Sequence, residues 1–220
     1  MSRFAFIWGL LVSVLWSLPA QESPRNPDPE ATELLVMLEK KFHESNSVLY
    51  EFSLTLDFPD QDPVVQEGTY LQSATKYRLE VSDYSFVTDG ITQWVIDHPS
   101  KEIQLHDYTQ PSENELSTPQ SLLKIYTNPN FDYRLLESQS SEQHLVEFKP
   151  LKKGSDYIKA RLKLNTTDHM IQEIELFNRD GSKFILAIHK VSFNTSFDTS
   201  SFRIDPVIYP GYHVEDLRIE

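Results

Sequence analysis

The residues that could do chemistry are few and do not gather. The chain has seven histidines: His43, His98, His106, His144, His169, His189 and His213. None pairs with another at i, i+4 on a helix, and no HExxH occurs, so a zinc hydrolase has no frame here. His98 and His106 flank a predicted strand, but no carboxylate shares metal-like spacing with both. Asp60, Asp62 and Glu67 form a loose acidic loop, better explained by solvation than by calcium. Glu173 and Glu175 share one strand face, but nothing near them would raise the pKa of one for acid–base work. There is no GxSxG elbow and no phosphate-binding glycine loop; the whole chain has six glycines. With no cysteine, thiol nucleophiles, iron–sulfur clusters, cysteine-ligated zinc and disulfides are excluded. The expectation is a protein that is not an enzyme and uses no cofactor and no metal.

Charge narrows the partners. The 220 residues carry 33 acidic and 20 basic side chains, for a formal charge of -13. A nucleic-acid binder needs a basic face to neutralise phosphates, so nucleic acid is not an expected partner. Adhesion to an anionic membrane by charge is disfavoured too. Hydrophobic residues make up 39% and aromatics 12%, enough to build a core.

The first twenty residues read as a secretory signal peptide. Arg3 precedes the apolar run FAFIWGLLVSVLW and then Ser17-Leu18-Pro19-Ala20. The run is too short to span a bilayer comfortably. Cleavage near Ala20 would remove Arg3 and take the charge from -13 to -14. No cysteine stands there to carry a lipid, so the expectation is a soluble exported protein, without its own lipid anchor.

Residues 21–29 form a proline-rich linker, and 30–220 a single domain. Asp28 followed by Pro29 is a helix start. Ala31, Leu34, Leu35, Leu38 and Phe42 share one face of a helix running to about Glu44, with Val36 and Met37 widening it. The period then becomes two. Val48, Tyr50, Phe52, Leu54, Leu56 and Phe58 alternate with mostly polar residues, as in a strand with one wet face. Further strands are expected at 64–72, 75–82 (Tyr77, Leu79 and Val81 inward), 84–88, 91–97, 101–108, 132–138, 142–149, 157–165 (Ile158, Ala160, Leu162 and Leu164 inward), 170–178 and 183–193. Asp89-Gly90 and Asp180-Gly181 mark hairpins. Thr118-Pro119 starts a short helix over 119–126 that lies outside the sheet. The fold class is therefore mainly β (α+β), a long antiparallel meander of about eleven strands. Such a sheet curls into a barrel or half-barrel. Its apolar face is either an ordinary core or a cavity for an apolar ligand, and composition does not separate the two.

A series of motifs runs through Gly68-Thr69-Tyr70-Leu71, Tyr77-Arg78-Leu79 and the hairpin Phe86-Val87-Thr88-Asp89-Gly90-Ile91-Thr92-Gln93-Trp94-Val95-Ile96-Asp97. It continues through Thr118-Pro119-Gln120-Ser121-Leu122-Leu123, Phe202-Arg203-Ile204-Asp205-Pro206 and Gly211-Tyr212-His213-Val214. This order of motifs resembles the LolA family of periplasmic outer-membrane lipoprotein carriers. The resemblance spans nearly all of the chain after the signal. It implies an incomplete antiparallel β-barrel with helices as a lid over an apolar cavity. It implies that Leu34, Leu35, Leu38, Phe42, Phe52, Leu54, Leu56, Tyr70, Trp94, Leu122 and Leu123 bind lipid.

The implied function is that of a monomeric periplasmic carrier. It would take acylated lipoproteins from an inner-membrane ABC transporter and deliver them to an outer-membrane acceptor. One departure stands out. The family's Arg-Pro, tied to lid closure, is replaced here by Gln72-Ser73-Ala74-Thr75-Lys76, and strand phase turns Lys76 and Arg78 outward. The alternatives are a lipid- or lipoprotein-sensing module of the same fold and a secreted hydrolase.

Overall fold

The computed structural model describes residues 26–109, 124–137 and 140–218. Among these residues one α-helix, α1 (Pro29–His43), precedes all the strands. Asp28 caps it by accepting the Glu30 N–H at 2.9 Å, and Pro29 fits the first turn because its missing N–H would be unpaired there anyway. Lys40, Lys41 and His43 in the last turn suit the negative end of the helix dipole. The stripe Ala31, Leu34, Leu35 and Leu38 is buried. Val36 and Met37 do not widen it: they are 56% and 47% exposed. At about 100° per residue they stand more than a quarter turn from the stripe's centre.

Twelve strands follow among the described residues: β1 (Val48–Asp57), β2 (Val64–Ser73), β3 (Lys76–Val81), β4 (Tyr84–Thr88), β5 (Thr92–Asp97), β6 (Glu102–Asp107), β7 (Phe131–Leu136), β8 (Gln143–Pro150), β9 (Tyr157–Asn165), β10 (Ile171–Asn178), β11 (Lys183–Phe193) and β12 (His213–Asp216). They form one open sheet in the order β12-β6-β5-β4-β3-β2-β1-β11-β10-β9-β8-β7. The pairing of β1 with β11 joins two antiparallel meanders, and β7 and β12 remain as unjoined edges. This is an incomplete barrel with a helix. The twelfth strand exceeds the expected eleven and runs parallel to β6, an arrangement that no local period announces. Gly90 and Gly181 sit at φ +93° and +88° in the two expected hairpins, where a residue with a Cβ would be strained. Of the expected helix over 119–126, residues 119–123 lie outside the described residues; its described end is a single 3-10 turn, Ile125–Thr127.

The sheet has two differently covered faces. The inner face, under α1, holds the main core: Phe52, Tyr70, Leu79, Phe148, Leu162, Leu164 and Ile174 pack with the helix stripe. The outer face of β4–β6 holds a smaller core of Val87, Trp94, Ile96 and Ile103, sealed by Ile204 from the C-terminal tail. Farther along the outer face, Glu147 receives Lys149, Lys159 and Arg161, while Lys163 and Lys183 reach Glu175.

Ile158, expected inward, is instead 50% exposed. The register steps from Lys159↔Phe177 to Tyr157↔Asn178 and leaves Ile158 unmatched. At this bulge Tyr157 packs toward the main core in its place.

Candidate functional site

The inner face carries a continuous run of aromatic rings. Tyr126, in the 3-10 turn, lies 6.0 Å from Phe42 of α1, and Phe42 lies 6.1 Å from Tyr50 of β1. Tyr50 meets Tyr70 of β2 at 6.2 Å, Tyr70 meets Tyr77 of β3 at 5.8 Å, and Tyr77 meets Tyr108 at 6.1 Å. Direct pairing produces part of this run. Tyr50 stands opposite Tyr70, and cross-strand aromatics in register pack ring against ring.

Two of the hydroxyls in this apolar setting are hydrogen-bonded. Tyr70 donates to Gln72 Oε1 at 3.1 Å, and Gln93 Nε2 donates to the Tyr77 hydroxyl at 2.9 Å. Burial, then the neighbouring Tyr77, Tyr50 and Tyr108, pushes the Tyr70 pKa well above its usual value. Burial and Tyr126 do the same to Tyr50. Burial and Tyr108 push Tyr77 up to about 12 against the opposing hydrogen bond from Gln93. These groups stay neutral at physiological pH, so the ring surface is uncharged.

Polar bonds at both ends fasten the helix over this surface. At its start, Asp28 Oδ2 accepts the Leu135 N–H at 3.0 Å, and the Asp28 N–H donates to the Tyr133 carbonyl at 3.1 Å. Asn26 N–H donates to Asp132 Oδ1 at 3.1 Å, so the end of the expected 21–29 linker is tied to β7. At the far end, the Lys41 ammonium donates to the Asp168 carbonyl in the β9–β10 turn. Beside this end of α1 two grooves open onto the inner face. One, of about 410 Å³, has Phe42, Val48, Tyr50, Tyr70 and Tyr126 in its walls. The other, of about 790 Å³, has Ile171, Ile188, Val191 and Phe193.

The residues expected to bind lipid are mostly brought together. Leu34, Leu35, Leu38, Phe52, Leu54 and Tyr70 are buried in the inner core, and Phe42 and Leu56 pack against it. Leu122 and Leu123 lie outside the described residues. Trp94 is the exception. It stands opposite Val87 and Leu105 on the outer face, while the inner row runs through Leu79, Phe86 and Val95. Residues 94 and 95 are both apolar, so alternation alone does not say which turns inward. Tyr77, Tyr108 and Tyr126 join the site without having been among its expected residues. The inward phase of Tyr77 was a signal for it. Tyr108 follows a strand end and Tyr126 sits in a turn, where period says nothing.

The stretch lacking Arg-Pro is the tight turn between β2 and β3. Ala74 sits there at φ 52°, in the left-handed region. Arg78 pairs with Glu80 at 2.8 Å and donates to the Ser201 carbonyl at 3.2 Å, away from the helix. A different cation, Lys41, ties the helix to the β9–β10 turn.

The polar candidates take structural parts. His98 bridges Ser85 at 3.0 Å and Tyr212 at 3.1 Å, joining sheet to tail. Glu173 and Glu175 are ion-paired with Lys163 and Lys183. Among the described residues no group of three or more histidines and carboxylates could hold a metal ion.

Solved structures match the chain at low sequence identity. An uncharacterized conserved protein from Thermus thermophilus is 12% identical with a TM-score of 0.56, the match covering 86% of this chain and 99% of that one. A putative outer membrane lipoprotein-sorting protein domain from Vibrio parahaemolyticus is 13% identical with a TM-score of 0.42, over 78% and 97%. The LolA superfamily protein NE2245 from Nitrosomonas europaea is 12% identical with a TM-score of 0.41, over 79% and 97%. At these identities the likeness concerns the fold alone, and the two lower scores carry no argument. No family model and no curated protein matches the chain.

Proposed function

We propose that this protein is an exported, soluble carrier that binds the acyl chains of lipoproteins on its inner sheet face. It shuttles them through the periplasm from an inner-membrane ABC transporter to an outer-membrane acceptor. One observation carries the reading: an amphipathic helix fastened at its two ends covers an apolar, ring-lined sheet face flanked by grooves. The motif order resembling the LolA family names the cargo. Energetics supports the need for such a device. At about 0.8 kcal/mol per methylene, exposing a chain of roughly fifteen methylenes to water costs about 12 kcal/mol. A carrier must offer matching apolar surface and hide it when empty, which a displaceable helix does. No helix among the described residues is long and apolar enough to cross a membrane.

The test uses the chain beginning at Gln21 and a synthetic triacylated lipopeptide. The protein should hold the lipopeptide in solution and elute with it on gel filtration, while the same peptide without acyl chains elutes alone. Lipopeptide that sediments unchanged, from a protein whose organic extract also contains no lipid, would reject the carrier reading.

A further inference from the structure

The two grooves are separated by a wall rather than by distance. The last turns of α1 lie over the seam between β1 and β11. There Phe42 packs on Tyr50 of β1 at 6.1 Å and on Phe193 of β11 at 5.5 Å. The strand register puts the two floors side by side: Val48 stands opposite Phe193, and Tyr50 opposite Val191. Val48 and Tyr50 line only the smaller groove, Val191 and Phe193 only the larger. The Phe42–Phe193 contact is therefore the partition. Ser45, just past the helix end, lines both grooves and forms a common lip.

We infer that the site takes a ligand with two apolar chains, a diacyl lipid moiety, with one chain in each groove and the junction of the chains at the Ser45 lip. This rests on the carrier reading and adds to it a number of chains and their placement. The lip suits a polar junction. Ser45 and Asn46 follow the helix, with the Asn46 N–H held by Asn194 Oδ1 at 2.9 Å. The lip is also mixed in charge, with Lys41 and Glu44 at the larger groove and Glu39 and His43 at the smaller. Apolar side chains form the floor of each groove, as an acyl chain requires, while the walls of the larger one are mostly polar, with Asn165, Asp168, Gln172, His189 and Lys190 among them. Straddling the helix end also leaves the Asp28 attachment at the other end untouched, so loading need not detach the whole helix.

Stoichiometry tests the inference. Native mass spectrometry would count single-chain dodecanoate, and separately a peptide bearing an S-dipalmitoylglyceryl cysteine, on the delipidated protein. The expected result is two dodecanoates per protein and one diacyl peptide that displaces both. Gln72→Trp, which narrows the smaller groove, and Val191→Trp, which narrows the larger, should each lower the dodecanoate count from two to one. Circular dichroism would establish that both variants fold. A wild-type count of one or three dodecanoates overturns the two-groove assignment and leaves the carrier reading standing. A count of two that falls to zero in either variant also overturns it, since the chains would then share one chamber. No binding of dodecanoate, diacyl peptide or triacylated lipopeptide would overturn the carrier reading itself.

Discussion

The ring of Phe52 on β1 lies directly over Gly68 on β2. The two residues are cross-strand partners, and a Cβ placed on Gly68 would come within 2.5 Å of Phe52 Cζ and 2.7 Å of the Glu80 carbonyl oxygen. The glycine gives the aromatic room at the centre of the inner face, and the backbone on its other side leaves no slack. Gly68→Ala should destabilise the protein by about 1–3 kcal/mol through overpacking, read as a lower urea midpoint. Phe52→Leu in the same chain should recover part of that loss. Equal midpoints for wild type and Gly68→Ala would refute the close packing.

Trp94 becomes the sole tryptophan once the first twenty residues are removed, since the others are Trp8 and Trp16. It is 5% exposed on the outer face beneath Ile204. Its fluorescence should therefore stay unchanged when lipid binds on the inner face. Ile204→Asp should shift the emission to the red as water reaches the ring. A strong lipid-dependent shift in the wild type would place Trp94 in the binding site after all.

Asp28 serves two elements with one carboxylate, accepting from Glu30 at 2.9 Å and from Leu135 at 3.0 Å. Asp28→Ala should cost about 1–2 kcal/mol from the lost cap alone and leave the Leu135 N–H without this partner. Amide exchange in α1 and β7 should rise together. Faster exchange in the helix alone would mean that the bond to β7 contributes nothing.

Alkaline pH should unfold the protein through its buried tyrosines. Their folded pKa values are raised, Tyr77 to about 12 and Tyr50 and Tyr70 well above the usual 10.0. The neutral form is thus favoured on folding. The contribution is fully present below about pH 10 and is lost as pH climbs through the folded values, by about 1.4 kcal/mol per unit for each such tyrosine. Urea midpoints should fall steeply between about pH 10 and about pH 12, and less steeply in Tyr77→Phe. Identical slopes for the two proteins would show that Tyr77 is not buried as neutral phenol.

The parts of this protein legible in its sequence are those whose causes are local. Asp28-Pro29 and the spacing of Ala31, Leu34, Leu35, Leu38 and Phe42 specify α1, because a cap and a 3.6-residue stripe involve only neighbouring residues. The alternation in 48–58 and the glycines after Asp89 and Asp180 specify strands and hairpins for the same reason. The rest depends on register between segments far apart in the chain. Folding set β1 against β11, so that Phe42 rests on rings from both. It turned Trp94 outward where two adjacent apolar residues left the phase open, and it displaced Ile158 at a bulge. It added β12 alongside β6 in parallel, although that tail carries no apolar period of its own. Alternation sorts side chains to the faces of a strand, but only the partner strands determine which rings meet.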